Sequence, residues 1–195
     1  MRFLVRLSNR RKFTPKDARE LTLRSYGAVK GFDGDVGNLR VSSSAVELDL
    51  LLESKASLQR AIQSLAEKLG PLLTLRELDI PAPQMQVGEA VREGIQLFNE
   101  ERFWESHEAL ESAWRRAVGA DKEILQGIIL LAAAFVHLQK NQIAVTLSVM
   151  GRAHSKLTGQ HSEHFGIDID NLRNNVSRMI SADHPDFLKI DLKQS

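Results

Sequence analysis

The 195-residue chain contains no cysteine. Disulfides, thiolate nucleophiles and cysteine-ligated metals are therefore excluded together, and any metal would have to be held by His and carboxylate. A surplus of one charge sign is also missing, with 26 Lys and Arg against 25 Asp and Glu and a formal net charge of +1. This balance argues against a strongly cationic nucleic-acid binder and against a charged disordered tail. Long hydrophobic runs are absent as well. The longest, Ile124 to Leu138, contains Gln126 and His137 and falls short of the roughly 20 residues that a membrane span needs. The apolar start, Met1 to Leu7, passes straight into Asn9-Arg10-Arg11-Lys12, with neither the apolar core nor the small-residue cleavage site of a signal peptide. The expectation is a mature, cytoplasmic protein with no membrane partner. No internal repeat or low-complexity segment is present.

Hydrophobic residues make up 43% of the chain, enough to build two small cores. In the first third, Phe3, Val5 and Leu7 alternate with Arg2 and Arg6, as in a strand buried on one face. Thr14-Pro15 opens a helix running to Gly27. A glycine-rich turn (Gly31, Gly34, Gly37) leads to a strand near Leu39 to Ser42, and Ser43 to Ala45 forms the hairpin into Val46 to Glu53. In that last strand the leucines face one way, and Glu47, Asp49 and Glu53 face the solvent. A helix from Ser54 or Lys55 to Gly70-Pro71 and a strand from Leu72 to Ile80 complete the order strand, helix, strand, strand, helix, strand. That order resembles the ferredoxin-like split βαβ plait. It implies an architecture and no activity.

Residues 81–83 read as a linker, 84–182 as an all-α helical bundle and 183–195 as a loose tail, so the fold class is α+β. The hydrophobic period changes to 3.6 after Gln84, giving helices from Val87 to near Glu101, Phe103 to Val118, Asp121 to Lys140 or Asn141, Ile143 to Leu157, and Asn171 to Ile180. On a wheel of the second of these, the apolar arc holds Phe103, Trp104, Leu110, Trp114, Ala117 and Val118. His107 falls in its middle, Glu111 beside it, and Glu108 and Arg115 at its border, with Glu105, Ser112 and Arg116 opposite. The next helix carries Gln126, His137 and Asn141 in one narrow sector. An antiparallel hairpin across Gly119-Ala120 would bring the two polar groups together. Burying an unpaired charge costs several kcal/mol, so these groups predict a network or a site.

The residues Phe98-Asn99, Phe103-Trp104-Glu105, His107-Glu108-x-x-Glu111 and Trp114-Arg115, followed by Gln126-Gly127, Ala132, His137 and Asn141, resemble the domain of unknown function 309 family over about Gln84 to Leu157. The resemblance implies a helical bundle able to form homodimers, with these polar residues clustered between helices, and no established activity. The chain departs from the family pattern at Leu130, where a second glutamine is common, and at Ile143-Ala144, which replaces Gly-Ala.

Three readings of the cluster follow. In the first, His107, Glu111, Arg115, Gln126 and His137 form a structural network that fixes helix register and lines a pocket. A second makes them a divalent metal site, with His107, Glu111 and His137 as ligands and Glu108 as general base of a hydrolase-like enzyme. The His-Glu-x-x-His protease signature is not met, because its second histidine is a glutamate here. The third is a binding module, in which Trp104, Trp114, Arg115, Gln126 and Asn141 border a site for a small anionic ligand or a partner segment. Catalysis is left open, with His107, Glu108 and Glu111 as the candidate residues. RNA binding by the basic N-terminal segment is an alternative that the acidic, aromatic-free sheet face disfavours. Outside these, His161-x-x-His164 beside His154, Asp168 and Asp170 could take up a metal adventitiously.

Overall fold

In the computed structural model, residues 1–79, 85–159 and 163–192 are described. The chain divides into two compact units, Met1–Ala82 with Gln139–Asn141, and Pro83–Leu138 with Gln142–Ser195.

The first unit holds β1 (Arg2–Ser8), α1 (Ala18–Val29), β2 (Gly34–Val41), β3 (Ala45–Leu52), α2 (Leu58–Leu69) and β4 (Leu72–Glu77). The strands form one sheet in the order β2-β3-β1-β4, with every neighbouring pair antiparallel. Element order and strand order together are those of a split βαβ plait. Its core joins Phe3, Val5 and Leu7 of β1 and Val46, Leu48 and Leu50 of β3 to Leu21 of α1 and Leu65 and Leu69 of α2. Gly70 closes α2 with φ of 141°, and a Cβ there would lie 2.2 Å from the Ser8 carbonyl oxygen. Only glycine fits both constraints.

A short 3-10 turn, Pro15–Asp17, precedes α1. The Asp17 carboxylate accepts hydrogen bonds from the Thr14 amide (2.7 Å) and the Thr14 hydroxyl (3.0 Å). Those two bonds, the backbone one first, hold the Asp17 carboxyl below its ordinary pKa. A lowered carboxyl contributes its stabilisation above the ordinary carboxylate range and loses it as pH falls through the lowered value. We expect the Thr14 amide resonance in an NMR titration to stay constant down through the ordinary aspartate range and to move only below it.

One expectation for this sheet is corrected. Glu47 and Asp49 do not face solvent; each is 1% exposed. The register sets Arg6 and Arg40 opposite Glu47 from the two flanking strands. Arg6 Nε lies 3.1 Å and Arg40 Nε 3.5 Å from the Glu47 carboxylate, while Arg2 Nη2 (2.6 Å), Arg40 Nη2 (3.4 Å) and Asn38 Nδ2 (2.8 Å) reach that of Asp49. Part of the N-terminal basic patch is thus committed to buried acids, whereas Arg10, Arg11 and Lys12 form an exposed turn.

The second unit holds α3 (Val87–Asn99), α4 (Phe103–Trp114), α5 (Gly119–Gln139), α6 (Ile143–Leu157), a two-residue hairpin of β5 (Glu163–His164) and β6 (Ile167–Asp168), and α7 (Ile169–Ser181). Asp168 caps α7 by accepting from the Asn171 amide at 2.9 Å. The expected linker, 81–83, lies outside the described residues. The segment after α7 is not a loose tail as far as Ile190. The Asn99 side chain donates to the Ile190 carbonyl and accepts its amide, both at 2.8 Å. Phe187 packs on Phe103 and Phe135 with ring centroids 5.4 and 5.8 Å away.

Candidate functional site

The orientation of α4 determines what its polar residues can do. Its buried stripe is Phe103, Ser106, Leu110 and Ala113, continued by Ala117 beyond the helix end. This places the interior about 60° around the helix from where the apolar residues alone put it, at 100° per residue. The cause is a close approach between α3 and α4. A Cβ on Gly94 would lie 2.5 Å from Leu110 Cγ, and Ser106 donates its hydroxyl to the Gly94 carbonyl at 2.8 Å. Small residues, and not the large ones, mark the interior here. The tryptophans are displaced to the flank, half-buried, and Val118 is 80% exposed. Glu105, expected outside, is buried at 9% and held by Arg102 through two bonds of 2.8 Å. That pairing raises the Arg102 pKa.

His107 lies on the flank of α4, half-buried, with its ring parallel to that of Trp104 at 6.1 Å between centroids and 2° between planes. Its Nδ1 is shielded from solvent and has no hydrogen-bond partner; the same holds for Trp114 Nε1. Lys122 at the start of α5 places its ammonium 4.5 Å from the centre of the Trp114 indole, a cation–π contact. Glu111 turns outward, its side chain 37% exposed, and pairs with the more exposed Arg115 at 3.0 Å. Glu108 and Gln126 are half-buried. His137 Nδ1 is 2.6 Å from Gln142 Oε1. Asn141 is exposed with φ of 58° in the turn that follows α5.

The expected network is therefore divided into local pairs, Glu111 with Arg115 and His137 with Gln142. The proposed ligand set His107, Glu111 and His137 is not assembled: no group of three or more His, Asp or Glu able to hold a metal exists among the described residues. The physical reason is the turn of α4, which carries Glu111 to the surface. Of the second histidine group, His161 lies outside the described residues. His164 contacts Asp121 of α5 at 2.7 Å, fastening the β5–β6 hairpin. Among the described residues no helix is long and apolar enough to cross a membrane.

Sequence reasoning missed Asn99 as the anchor of the Ile190 segment and Lys122 as a neighbour of Trp114. Asn99 was visible only as part of a motif, and Lys122 needed the α4–α5 turn.

What the geometry defines is an antiparallel α/β sheet unit followed by a helical unit with an aromatic and polar flank on α4. Residues 91–149, from α3 into α6, match the family model described as Domain of unknown function (DUF309). The match falls inside the stretch whose residues resembled that family and begins after the strands of the sheet unit. No curated protein matches the chain.

Proposed function

We propose that the helical unit is a binding module, and that the flank of α4 formed by Trp104, His107 and Trp114 receives a small anionic ligand with a flat apolar body. One observation carries this reading: His107 Nδ1 and Trp114 Nε1 are both withdrawn from water without a partner. Polar atoms left so cost about 1–3 kcal/mol each, and a ligand bearing complementary groups would remove that cost. The two residues are seven apart, two helical turns on one face, so their side chains stand about 10 Å from each other at 1.5 Å per residue. This span suits a small molecule. Indole surface supplies the apolar contact, and the Lys122 ammonium over Trp114, with Arg115 nearby in sequence, favours negative charge on the ligand.

The test is a thermal-shift screen of small carboxylates and phosphates carrying planar groups, run on the full chain and on His107→Leu and Trp114→Leu variants. A ligand at about 100 times its Kd stabilises by roughly 2.7 kcal/mol, a rise on the order of 10 °C for a domain of this size. We expect a hit that loses most of its shift in both variants. A screen without hits, or hits that shift both variants as much as the parent, would overturn the reading.

A further inference from the structure

The chain leaves α7 through exposed residues 182–184, with Asp183 at φ of 51°, and then lies against the helical unit without forming a helix or strand of its own. The contacts that hold this segment are those by which a domain holds an extended peptide. The Asn99 side chain, at the end of α3, pairs with both the amide and the carbonyl of Ile190, as a residue on a neighbouring strand would. Leu192 makes an isolated antiparallel bridge to Ile167 of β6, adding to the edge of the β5–β6 hairpin. Two side chains turn inward: Phe187 onto Phe103 and Phe135, and Ile190, which is 2% exposed. The backbone bonds would serve any extended residue at that place, so these two side chains supply the selectivity. The fit beneath the segment is incomplete. A cavity of about 210 Å3 lies between its Lys189, Ile190 and Asp191 and the facing Ile167, Asn171 and Asn175, where a packed interior would leave few voids. Phe98, Phe103 and Phe135 meanwhile contact one another directly, with ring centroids 5.0, 5.5 and 5.0 Å apart, so the floor of the groove does not need the segment to form.

We propose that the groove formed by Asn99, Phe103, Phe135 and Ile167 is a docking site for an extended peptide of another protein, one carrying an aromatic residue and, three positions on, an aliphatic one. The chain's own segment from Pro185 to Leu192 occupies the groove as a tethered competitor, with Phe187 and Ile190 in those two positions. A peptide of the same pattern displaces the segment, which stays attached through residues 182–184. Tethering gives the segment an effective concentration on the order of millimolar. The closed groove is therefore the resting state, and a partner must bind tightly or be presented at high local concentration to open it. Neither His107 nor Trp114 belongs to the groove, which is independent of the α4 flank.

The test compares the full chain with its double variant Phe187→Ser/Ile190→Ser, which keeps the groove and removes both anchors of the segment. The probe is a fluorescein-labelled peptide copying residues 185–192, followed by fluorescence anisotropy. The double variant should bind it, and the parent should bind it about 100-fold more weakly because its own segment competes. Adding Asn99→Ala to the double variant should weaken binding about tenfold or more through the two lost hydrogen bonds. A probe with serine at both anchor positions should not bind. Opening is also read on the parent alone by native-state hydrogen exchange, where the Ile190 amide should exchange about 100-fold faster than the Leu131 amide of α5, through local release of the segment. A folded double variant that does not bind the probe, a parent that binds it equally well, or an affinity untouched by Asn99→Ala would each overturn the proposal. So would an Ile190 amide as protected as that of Leu131, since the segment would then leave the groove only on unfolding. A parent dimer, by sedimentation equilibrium, that the double variant dissociates would assign the groove to the segment of a second copy and overturn it too. If the double variant does not fold, the exchange result decides.

Discussion

Replacing Arg40 with methionine should lower the unfolding free energy of the first unit by about 3–5 kcal/mol, the usual cost of leaving a buried charge without its partner. Arg40 is 2% exposed and lies between Glu47 and Asp49, each 1% exposed. Without it, Glu47 keeps Arg6 and Asp49 keeps Arg2 and Asn38, so the loss should fall toward the lower end of that range. Adding Glu47→Gln and Asp49→Asn to the same variant should recover only part of the loss, because the buried carboxylates become neutral while Arg6, its side chain 12% exposed, and Arg2 lose their charged partners. Two probes are needed, since two units need not unfold together. Both tryptophans, Trp104 and Trp114, belong to the second unit, whereas the single tyrosine, Tyr26, belongs to the first. Urea denaturation should therefore show the far-ultraviolet circular dichroism curve, to which both units contribute, gaining an earlier phase at lower urea than in the parent while the tryptophan fluorescence transition stays in place. A dichroism curve that superimposes on the parent's would mean that the network adds nothing to stability.

The same network shows where sequence reading succeeds and where it stops. Period-2 alternation located β1 and β3, and Thr14-Pro15 and the start at Ser54 or Lys55 placed the two helices of the plait, because these signals act within a few residues. Which arginine would face which acid depends on register between strands distant in sequence. The alternation of Glu47 and Asp49 therefore read as a solvated face when it is a buried one. On α4 the difficulty has another origin. A wheel weighted by hydrophobicity treats Trp104, Trp114 and Val118 as interior, but α3 and α4 come together over Gly94, Ser106 and Ala113. Close helix approach selects small residues, and the bulky ones are pushed to the side. His107 was legible as unusual from its place in the apolar arc, and its Nδ1 is shielded from solvent. Glu111 followed the helix rotation to the surface, which could not be read without the position of α3.

Phe103→Ala should destabilise the helical unit by about 3–5 kcal/mol, the range for removing a fully buried phenylalanine. Phe103 is completely buried and touches Phe98 and Phe135 at 5.0 Å and Phe187 at 5.4 Å between ring centroids. The comparison with Phe187→Ala is the more informative half of the experiment, since Phe187 is half-buried and follows Pro185 in a segment without regular structure. If that segment were a frayed end, Phe187→Ala would leave the midpoint unchanged and the two substitutions would simply add. Its ring contacts and the paired Asn99–Ile190 hydrogen bonds instead make it a piece of the core. A double-mutant cycle by tryptophan fluorescence in urea should then return a coupling of roughly 0.5–1.5 kcal/mol between Phe103 and Phe187, as expected of an aromatic pair beyond its area burial. Zero coupling would show that the ring contact carries no energy and that the segment only lies against the helices. A measured coupling would make the segment that ends near Ile190 part of what folds the helical unit, and a fragment cut after α7 would be expected to lose stability even though all five helices remain.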